Sequence, residues 1–185
     1  MLFFYDQITG AAGTGGLDAS GDYVSLKDFP AGQFGHWTHI VPGGGELFFY
    51  SRETHTAGTG RLAADGDYVS LKDFPAGQFG DWTHVTFDAG SSKLFFYNRE
   101  TRAAASGKLD ADGNYVHLQS FPAGQFGSWT HIVSARRKIF FYDQDAQGAA
   151  SGELDDGGGY TNLKDFPAGQ FGYWSNIVVT QEGTP

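Results

Sequence analysis

One motif occurs four times along the 185-residue chain. Each copy opens with an aromatic quartet, at Leu2–Tyr5, Leu47–Tyr50, Leu94–Tyr97 and Ile139–Tyr142. A loop heptad, Phe-Pro-Ala-Gly-Gln-Phe-Gly, follows at Phe29–Gly35, Phe74–Gly80, Phe121–Gly127 and Phe166–Gly172. One variable residue and a Trp come after each heptad, and the four Trp residues are 45, 47 and 45 residues apart. A repeat of this length is typical of solenoids, propellers and arrays.

The composition favours short strands over helices. The chain contains 17 Phe, 9 Tyr, 4 Trp and 28 Gly. Aromatic residues are enriched in strands, and frequent Gly marks tight turns between them. No segment shows a sustained helical periodicity together with good helix formers. The sequence therefore predicts an all-β protein.

The second copy shows how one repeat would fold. Its aromatic quartet predicts one strand, and three further strands are expected at Thr59–Leu62, Tyr68–Phe74 and Trp82–Val85. The loop heptad lies between the last two, because Pro and Gly do not suit a strand interior. Four antiparallel strands in a repeat of this length make one propeller blade. The prediction is a single domain, 1–185, a four-bladed β-propeller of four-stranded blades with repeats 2–46, 47–93, 94–138 and 139–185.

The two chain ends suggest how the ring closes. The chain opens with an aromatic quartet, and its last Trp strand, Trp174–Val178, lacks a following quartet. Pairing of Trp174–Val178 with Leu2–Tyr5 would complete the first blade and leave no bare sheet edge. A monomer with a closed ring is the expectation. The alternative is a larger ring that two chains form together.

Charge and composition limit the partners. The 12 Lys and Arg against 21 Asp and Glu give a net charge of −9, so nucleic acid is a poor partner. No apolar run is long enough for a transmembrane helix, and no membrane insertion is expected. Cys is absent, which excludes disulfides and thiolate chemistry. No signal peptide precedes the first repeat, so the chain is expected to be intracellular as written, and action outside the cell stays open.

Two segments carry a family resemblance that extends along the whole chain. These are Trp-Thr-His-Ile-Val, as at Trp37–Val41, and Leu-Phe-Phe-Tyr-Asp, as at Leu2–Asp6. Together with the short turn between such segments, they resemble the repeat of bacterial FG-GAP/VCBS-like propeller proteins. The aromatic-rich blade is also similar to tachylectin-type propeller lectins, a resemblance that implies amino-sugar binding between blades. FG-GAP blades carry an Asp-rich calcium loop, whereas the corresponding turns here lack alternating carboxylates.

The loop heptad is the leading candidate for a binding site. Its Gln is unchanged in all four copies and has no evident packing role, although loops normally vary. A polar amide and a carboxylate beside aromatic rings suit a sugar. The predicted ligand-binding residues are Asp28, Gln33, Phe34, Trp37, Asp73, Gln78, Phe79, Trp82, Gln125, Phe126, Trp129, Asp165, Gln170, Phe171 and Trp174. The alternative is that the loop only connects strands and its aromatic residues belong to the core.

No metal or cofactor is predicted. His39, His84 and His131 occupy equivalent places, with Asn176 in the fourth copy, and symmetry could gather them around a transition metal. Structural histidines are the preferred interpretation. Asp110–Asn114 resembles a calcium loop, but its counterparts shift the acids, so a hairpin turn is the better interpretation.

The predicted function is that of a multivalent, carbohydrate-binding lectin with up to four equivalent sites at blade junctions. Familiar catalytic motifs are missing, and near-identical repeats are poorly suited to one asymmetric catalytic centre, so the sequence predicts that the chain is not an enzyme. Glycans or glycoconjugates would be the partners. The alternatives are a structural or protein-interaction propeller, hemopexin-like in architecture, and a designed symmetric propeller without a ligand.

Overall fold

The computed structural model describes residues 1–88, 91–135 and 137–179. Within these ranges the chain forms fifteen β-strands and no helix. The strands make four sheets, and every pairing within them is antiparallel. The predicted all-β class and the four-bladed propeller are confirmed. No helix in the described part of the chain is long and apolar enough to cross a membrane.

The chain divides into two compact units. The first comprises Met1–Gly80 with Asp112–Asn114, and the second comprises Asp81–Ala111 with the chain from Tyr115 onward. The first unit holds a three-stranded sheet of β1 (Leu2–Asp6), β2 (Ala11–Leu17) and β3 (Tyr23–Phe29). It also holds a four-stranded sheet, in the order β4 (His39–Gly43), β5 (Glu46–Ser51), β6 (Thr56–Leu62) and β7 (Tyr68–Phe74).

The second unit contains two four-stranded sheets. One has the order β8 (His84–Asp88), β9 (Lys93–Asn98), β10 (Ala103–Leu109) and β11 (Tyr115–Phe121). The other has the order β12 (His131–Ala135), β13 (Lys138–Asp143), β14 (Gly148–Leu154) and β15 (Tyr160–Phe166). In both sheets the strand that carries the aromatic quartet is second in the order, so strands lie on both of its sides.

The strand after Trp82 begins two residues later than predicted, and the strands after Trp37 and Trp129 begin at the equivalent positions. The prediction placed a strand at Trp82–Val85, whereas β8 begins at His84. In the equivalent place of the next repeat, the backbone N–H of Trp129 donates to the hydroxyl of Tyr97 at 3.1 Å. A side chain thus satisfies this N–H, so the sheet pairing with β13 starts only at His131.

The predicted closing strand is not formed. Residues 174–179 have no strand, although Trp174–Val178 was predicted to be one. The first sheet has three strands where four were predicted, with β1 as its outer strand. Pairing of the chain ends therefore remains a prediction.

The aromatic quartets form the core within each unit. In the first unit a buried cluster contains Phe29, Phe34, Leu47 and Phe49. In the second unit the equivalent cluster includes Phe121, Phe126, Ile139 and Phe141, with Phe95 and Tyr97 beside them. The rings meet mostly edge to face, as aromatic pairs prefer. Full burial of one such Phe contributes about 1.5–3 kcal/mol, so the repeated Phe residues are the main stabilising element.

Three buried hydroxyls tie one repeat to the turn of the next. Thr14 donates to the carbonyl of Gly66 at 2.8 Å, and Thr59 does the same to Gly113 at 2.8 Å. In the second unit, Ser106 donates to Gly158 at 2.7 Å. These three contacts, called the hydroxyl ties below, start at β-bulges, where the strand register shifts immediately after each hydroxyl residue. They fix each Asp-Gly or Gly-Gly turn against its neighbour.

Candidate functional site

The loop heptad is anchored by its backbone, which leaves its Gln exposed. In the first repeat, the N–H of Gln33 donates to Pro30 at 3.2 Å, and the N–H of Phe34 donates to Gly10 at 3.1 Å. The first bond recurs in the other three copies, and the second recurs from Phe126 to Arg102 at 3.3 Å and from Phe171 to Gln147 at 3.0 Å. All four glutamines, Gln33, Gln78, Gln125 and Gln170, are exposed. The loop thus presents an amide that its own backbone geometry does not use.

The second Phe of the heptad is a core residue. Phe34, Phe79 and Phe126 are only 5–7% exposed, and each meets the first Phe of its own heptad edge to face at 5.4–5.7 Å. Phe171 is half-buried and packs on Phe166 at 5.6 Å. Because other rings already pack against them, little of each ring is left for the predicted stacking on a ligand, which remains a prediction. At most a ring edge is left for a ligand.

A tyrosine from the aromatic quartet holds the end of the heptad. The hydroxyl of Tyr97 donates to the carbonyl of Gly127 at 2.6 Å and accepts the N–H of Trp129 at 3.1 Å. Tyr5 and Tyr142 make the same two bonds in their repeats. We call this arrangement the tyrosine bridge. The sequence analysis missed it, although a buried Tyr in every quartet signals a need for a polar partner.

The tyrosine bridge places the Trp side chain on the following repeat. Trp37 packs on Phe49 at 5.7 Å, and Trp129 packs on Phe141 at 5.7 Å. The indole of Trp129 also lies over Gly127, where a Cβ atom would be only 2.8 Å from it. Trp37, Trp82 and Trp129 are half-buried, whereas Trp174 is 57% exposed. Each half-buried Trp therefore combines a packing role with an accessible edge.

In the second unit these groups surround a cavity of about 240 Å³. It unites the predicted residues Gln125, Trp129 and Asp165, and the edge of Phe126 contributes to its wall. The carboxylate comes from the repeat after the heptad that supplies the Gln, not from the same copy as predicted. The cavity is also lined by Gly127, Ala150, Tyr160 and Asn162.

Tyr160 and Asn162 extend the polar side of this cavity. The Tyr160 hydroxyl donates to Oδ1 of Asn162 at 3.3 Å, and Nδ2 of Asn162 donates to Oδ2 of Asp165 at 3.1 Å. Burial raises the pKa of Tyr160 to about 12, so the phenol stays protonated at neutral pH. The sequence analysis missed both residues. Tyr160 and Asn162 lie five and three positions before Asp165, so strict alternation along β15 does not group them with it. The register shift between Asn162 and Lys164 changes the alternation, and the sequence gives no signal of that shift.

The first unit brings Asp73 and Trp37, the counterparts of Asp165 and Trp129, to one place. Oδ1 of Asp73 and the rim of the Trp37 indole lie 3.6 and 3.8 Å from the Cβ position of Gly58. Burial raises the pKa of Tyr68 to about 12, while a hydrogen bond with Ser70 lowers it. Ser70 thus stands where the second unit has Asn162.

Four further predicted residues, Asp28, Asp73, Phe79 and Trp82, do not line the cavity in the second unit. Asp28 and Asp73 are exposed on β3 and β7, and Oδ1 of Asp28 lies 3.5 Å from the Cβ position of Gly13. Trp82 packs on Phe96 at 5.8 Å. Phe79 also meets Phe48 at 5.6 Å.

The equivalent histidines have structural partners. Nδ1 of His39, His84 and His131 lies 2.8 Å from the hydroxyl of the preceding Thr. Nε2 of His84 and His131 lies 2.9 Å from the backbone carbonyls of Thr130 and Ser175. Among the residues that the structure describes, no group of three or more His, Cys, Asp or Glu could hold a metal ion. These contacts support the interpretation as structural histidines.

The Asp-containing turns use their carboxylates to cap backbone groups. Oδ1 of Asp18 accepts the N–H groups of Ser20 and Asp22 at 2.8 and 3.0 Å. Oδ1 of Asp155 accepts the N–H of Gly159 at 2.8 Å. Such capping is typical of turns, so at these two positions the hairpin interpretation is confirmed.

Comparison with solved structures supports the propeller fold. No protein-family model matches the chain, and no curated protein matches it significantly. A protein from Lactobacillus plantarum is similar in structure, with a TM-score of 0.61 and 13% identity over 85% of this chain and 49% of that chain. A protein from Bacteroides fragilis proposed to be a 6-phosphogluconolactonase gives a TM-score of 0.63 and 14% identity, over 89% of this chain and 51% of that chain.

A third similar structure is a proposed 6-phosphogluconolactonase from Bacteroides uniformis, with a TM-score of 0.58 and 12% identity over 90% of this chain and 52% of that chain. The chain thus spans about half the length of the structures it matches. Identities this low show the fold alone. The resemblance to FG-GAP/VCBS-like proteins and to tachylectin-type lectins remains a prediction.

These similar structures correct one prediction. The repeated architecture was taken to indicate that the chain is not an enzyme. Two propellers of similar structure are proposed lactonases, so a propeller fold of this kind gives no ground for excluding catalysis. The inference from repetition was wrong because a ring of similar blades can still carry one site that differs from the others.

Proposed function

We propose that the chain binds carbohydrate in the cavity between Gln125, Trp129 and Asp165 and at the equivalent place in the first unit. The observation that carries this proposal is the meeting of an aromatic edge, an amide and a carboxylate in one cavity of about 240 Å³. A sugar ring has apolar C–H faces and a rim of hydroxyls. Indole can cover the first, and the amide and carboxylate can bond the second. Binding sites commonly combine apolar walls with a few convergent polar groups.

The charge of the protein favours particular sugars. The net charge is −9, and Asp165 adds a carboxylate to the cavity wall. Acidic sugars would therefore meet repulsion, whereas neutral and amino sugars would not. Each shallow site would bind weakly. On a surface with clustered glycans, several linked sites can raise avidity by about 10²–10⁴.

Substitution of single polar residues tests this proposal. Gln125→Ala and Asp165→Asn should each abolish the site in the second unit, and titration calorimetry with a sugar found on a glycan array should show one site fewer. Gln119→Ala is the matched control, because Gln119 is exposed on β11 of the same unit and does not line the cavity. Unchanged stoichiometry in both cavity variants would contradict the assignment.

Removal of all four heptad glutamines tests the multivalent form. The variant with Gln33, Gln78, Gln125 and Gln170 changed to Ala should lose agglutination and keep its fold, because an exposed Gln contributes within about ±0.5 kcal/mol. Trp37→Ala, by contrast, should destabilise the protein by about 3–5 kcal/mol, because the indole packs on Phe49. If the Gln variant unfolds but binds normally per folded molecule, the loop is structural.

Lactone hydrolysis is the second candidate function. It is favoured by the two similar structures that are proposed 6-phosphogluconolactonases. The cavity lining includes the carboxylate of Asp165, which could act as a base, and no Lys or Arg among its described residues. An unphosphorylated sugar lactone would suit it better than a phosphorylated one. Hydrolysis of gluconolactone that Asp165→Asn abolishes would favour this function, and loss of sugar binding without any hydrolysis would favour the first.

A further inference from the structure

Among the residues that the structure describes, the first sheet has an open strand edge. In each four-stranded sheet a strand that follows a Trp covers the outer side of the aromatic-quartet strand: β4 covers β5, β8 covers β9 and β12 covers β13. The first sheet, in contrast, has the order β1-β2-β3, so β1 is its outer strand. An outer strand presents unpaired backbone N–H and C=O groups to any chain that can align with it.

The surface beside this edge is apolar and exposed. Leu2 is 41% exposed and Phe4 is 48% exposed. Their counterparts in the other repeats are only 0–8% exposed. The counterparts of Leu2 are Leu47, Leu94 and Ile139, and those of Phe4 are Phe49, Phe96 and Phe141. Leu17 and Tyr23 extend this exposed surface at 65% and 53%. The residues that form the core in three repeats thus form a bare surface in the first. Contiguous apolar surfaces of this kind mark interaction sites.

A cavity lies on the same surface. It measures about 290 Å³ and is lined by Phe4, Tyr5, Asp6 and the start of β2, Ala11–Gly13. In the other repeats, the indole of a Trp packs on the residue equivalent to Phe4. Trp37 packs on Phe49, Trp82 on Phe96 and Trp129 on Phe141, with ring centroids 5.7–5.8 Å apart. The cavity beside Phe4 is therefore in the place where the repeat pattern requires an indole.

The segment that matches this surface is itself exposed. Residues 174–179 follow the fourth loop heptad and correspond in sequence to the Trp residues and strands that cover β5, β9 and β13. They form no strand, and Trp174, Val178 and Val179 are 57%, 81% and 42% exposed. The same chain thus contains an exposed segment that corresponds to a covering strand and a strand edge, that of β1, which lacks one.

We propose that residues 174–179 of a second copy add to the first sheet as its missing strand, antiparallel to β1, with Trp174 in the cavity beside Phe4. The register follows from the pairing of β4 with β5, in which His39 faces Tyr50 and Ile40 faces Phe49. It sets Asn176 opposite Tyr5, Ile177 opposite Phe4, Val178 opposite Phe3 and Val179 opposite Leu2. Two copies that exchange this segment form a closed, symmetric dimer.

Two observations favour a second copy as the partner. Each covering pair in the described part of the chain, β4 on β5, β8 on β9 and β12 on β13, comes from this same sequence motif, so the protein already carries the complementary surface. The chain also spans 49–52% of the propellers it resembles in length. Two copies therefore supply about as many residues as one of those propellers contains.

The mass in solution gives the first test. Light scattering across a wide range of concentration should yield twice the monomer mass of 20.0 kDa. Val178→Pro should yield the monomer with unchanged circular dichroism, because Pro cannot donate in a sheet and this segment is not part of any sheet within the chain. Ile8→Ser is the control, since Ile8 is 87% exposed in a turn outside the proposed surface, and it should stay dimeric. A wild-type mass of 20.0 kDa at every concentration overturns the proposal.

Cross-linking separates exchange between chains from pairing within one chain. The chain contains no Cys, so Leu2→Cys and Val179→Cys introduce unique thiols at a facing pair of the proposed register. The two single variants, mixed and oxidised, should form a covalent dimer, whereas each alone should not. The variant with both substitutions should also form covalent dimers. If it gives only an internally linked monomer, the terminal segment closes on its own chain and the proposal is wrong.

Discussion

In three repeats the tyrosine of the aromatic quartet, Tyr5, Tyr97 or Tyr142, fixes the backbone of the Trp that follows in the same repeat. Its hydroxyl, one polar atom in an aromatic core, connects the last Gly of the heptad to the backbone of the Trp. Because the phenol accepts one bond and donates another, both backbone groups are satisfied without a strand partner. The Trp backbone is thereby withdrawn from the sheet and its indole is free to cover the next repeat. A residue that the sequence analysis placed only in a strand therefore positions the candidate site.

Removal of this hydroxyl should be costly. Tyr97→Phe keeps the ring but leaves the carbonyl of Gly127 and the N–H of Trp129 without their partner, and Tyr97 is fully buried. Unsatisfied groups of this kind cost about 1–3 kcal/mol. Urea denaturation should show that loss. Tyr173→Phe is the control, because Tyr173 is 65% exposed, and it should leave the unfolding midpoint unchanged. Equal midpoints for all three proteins would contradict a stabilising bridge.

The buried phenols should also make stability depend on alkaline pH. Burial raises the pKa of Tyr68 and Tyr160 from 10.0 to about 12 and raises that of Tyr115 further. Above pH 10 the unfolded chain loses these protons while the folded protein keeps them, so ionisation favours unfolding and stability falls between the two pKa values. Urea midpoints should decline over this range. Tyr160→Phe should make the decline shallower, whereas Tyr173→Phe should not. A decline of the same slope in Tyr160→Phe would contradict this assignment.

At the scale of single elements, the hydroxyl ties make some turns far less tolerant than others. Gly113 and Gly21 occupy equivalent turns with similar positive φ angles of 76° and 86°. A Cβ atom on Gly113 would meet Oγ1 of Thr59 at 2.6 Å and Leu71 at 2.8 Å, whereas nothing lies within 4 Å of the Cβ position of Gly21. An Ala at either position would therefore meet backbone strain, but only at Gly113 would it also clash with neighbouring atoms.

Alanine substitutions at these two turns separate strain from packing. Gly21→Ala should cost about 1 kcal/mol or slightly more, because only the left-handed backbone conformation opposes it. Gly113→Ala should cost at least about 1 kcal/mol more than that, because the methyl group displaces the hydroxyl tie from Thr59. Thermal melts followed by circular dichroism measure both. Equal losses in the two variants would show that the turn does not press on Thr59.

Strands were easier to predict than the contacts that end them. Tyr68–Phe74 was predicted residue by residue, because its hydrophobic pattern and the flanking Asp-Gly and Pro mark both ends. The start of β8 was placed two residues early, because no local pattern marks it. In the equivalent place of the next repeat, the N–H of Trp129 bonds to the hydroxyl of Tyr97, a residue distant in sequence. The same limit applies to the site. Gln125 and Trp129 were recognisable from repetition, while Asn162 differs among the copies and only the fold brings it beside them.

At the scale of the whole molecule, repetition revealed the fold and concealed part of the function. Four copies of one pattern were sufficient to predict an all-β propeller. The carboxylate that lines the cavity with Gln125 could not be read in the same way, because Asp165 comes from the next repeat along the chain. Nor could repetition decide between binding and catalysis, since a propeller can carry either at a place where its repeats differ.

Chelation should leave the whole molecule unchanged. The Asp-containing turns direct their carboxylates to backbone N–H groups, and the equivalent histidines bond to Thr hydroxyls. A bound metal stabilises the native state by mass action, so its removal would lower the melting temperature. EDTA should therefore shift neither the melting temperature nor sugar binding, with added calcium as the matched control. A fall of several degrees that calcium restores would reveal a site in one of these turns.

The hydroxyl ties also bear on how fast such a chain can fold. They join residues 52, 54 and 52 positions apart, and each reaches only the following repeat. Folding slows as the average sequence separation of contacts grows, and ties of this length keep that separation near one repeat however many repeats follow. In repeat arrays, structure can start in any unit and spread to its neighbours. Duplication of this motif should therefore lengthen the protein with little delay to its folding.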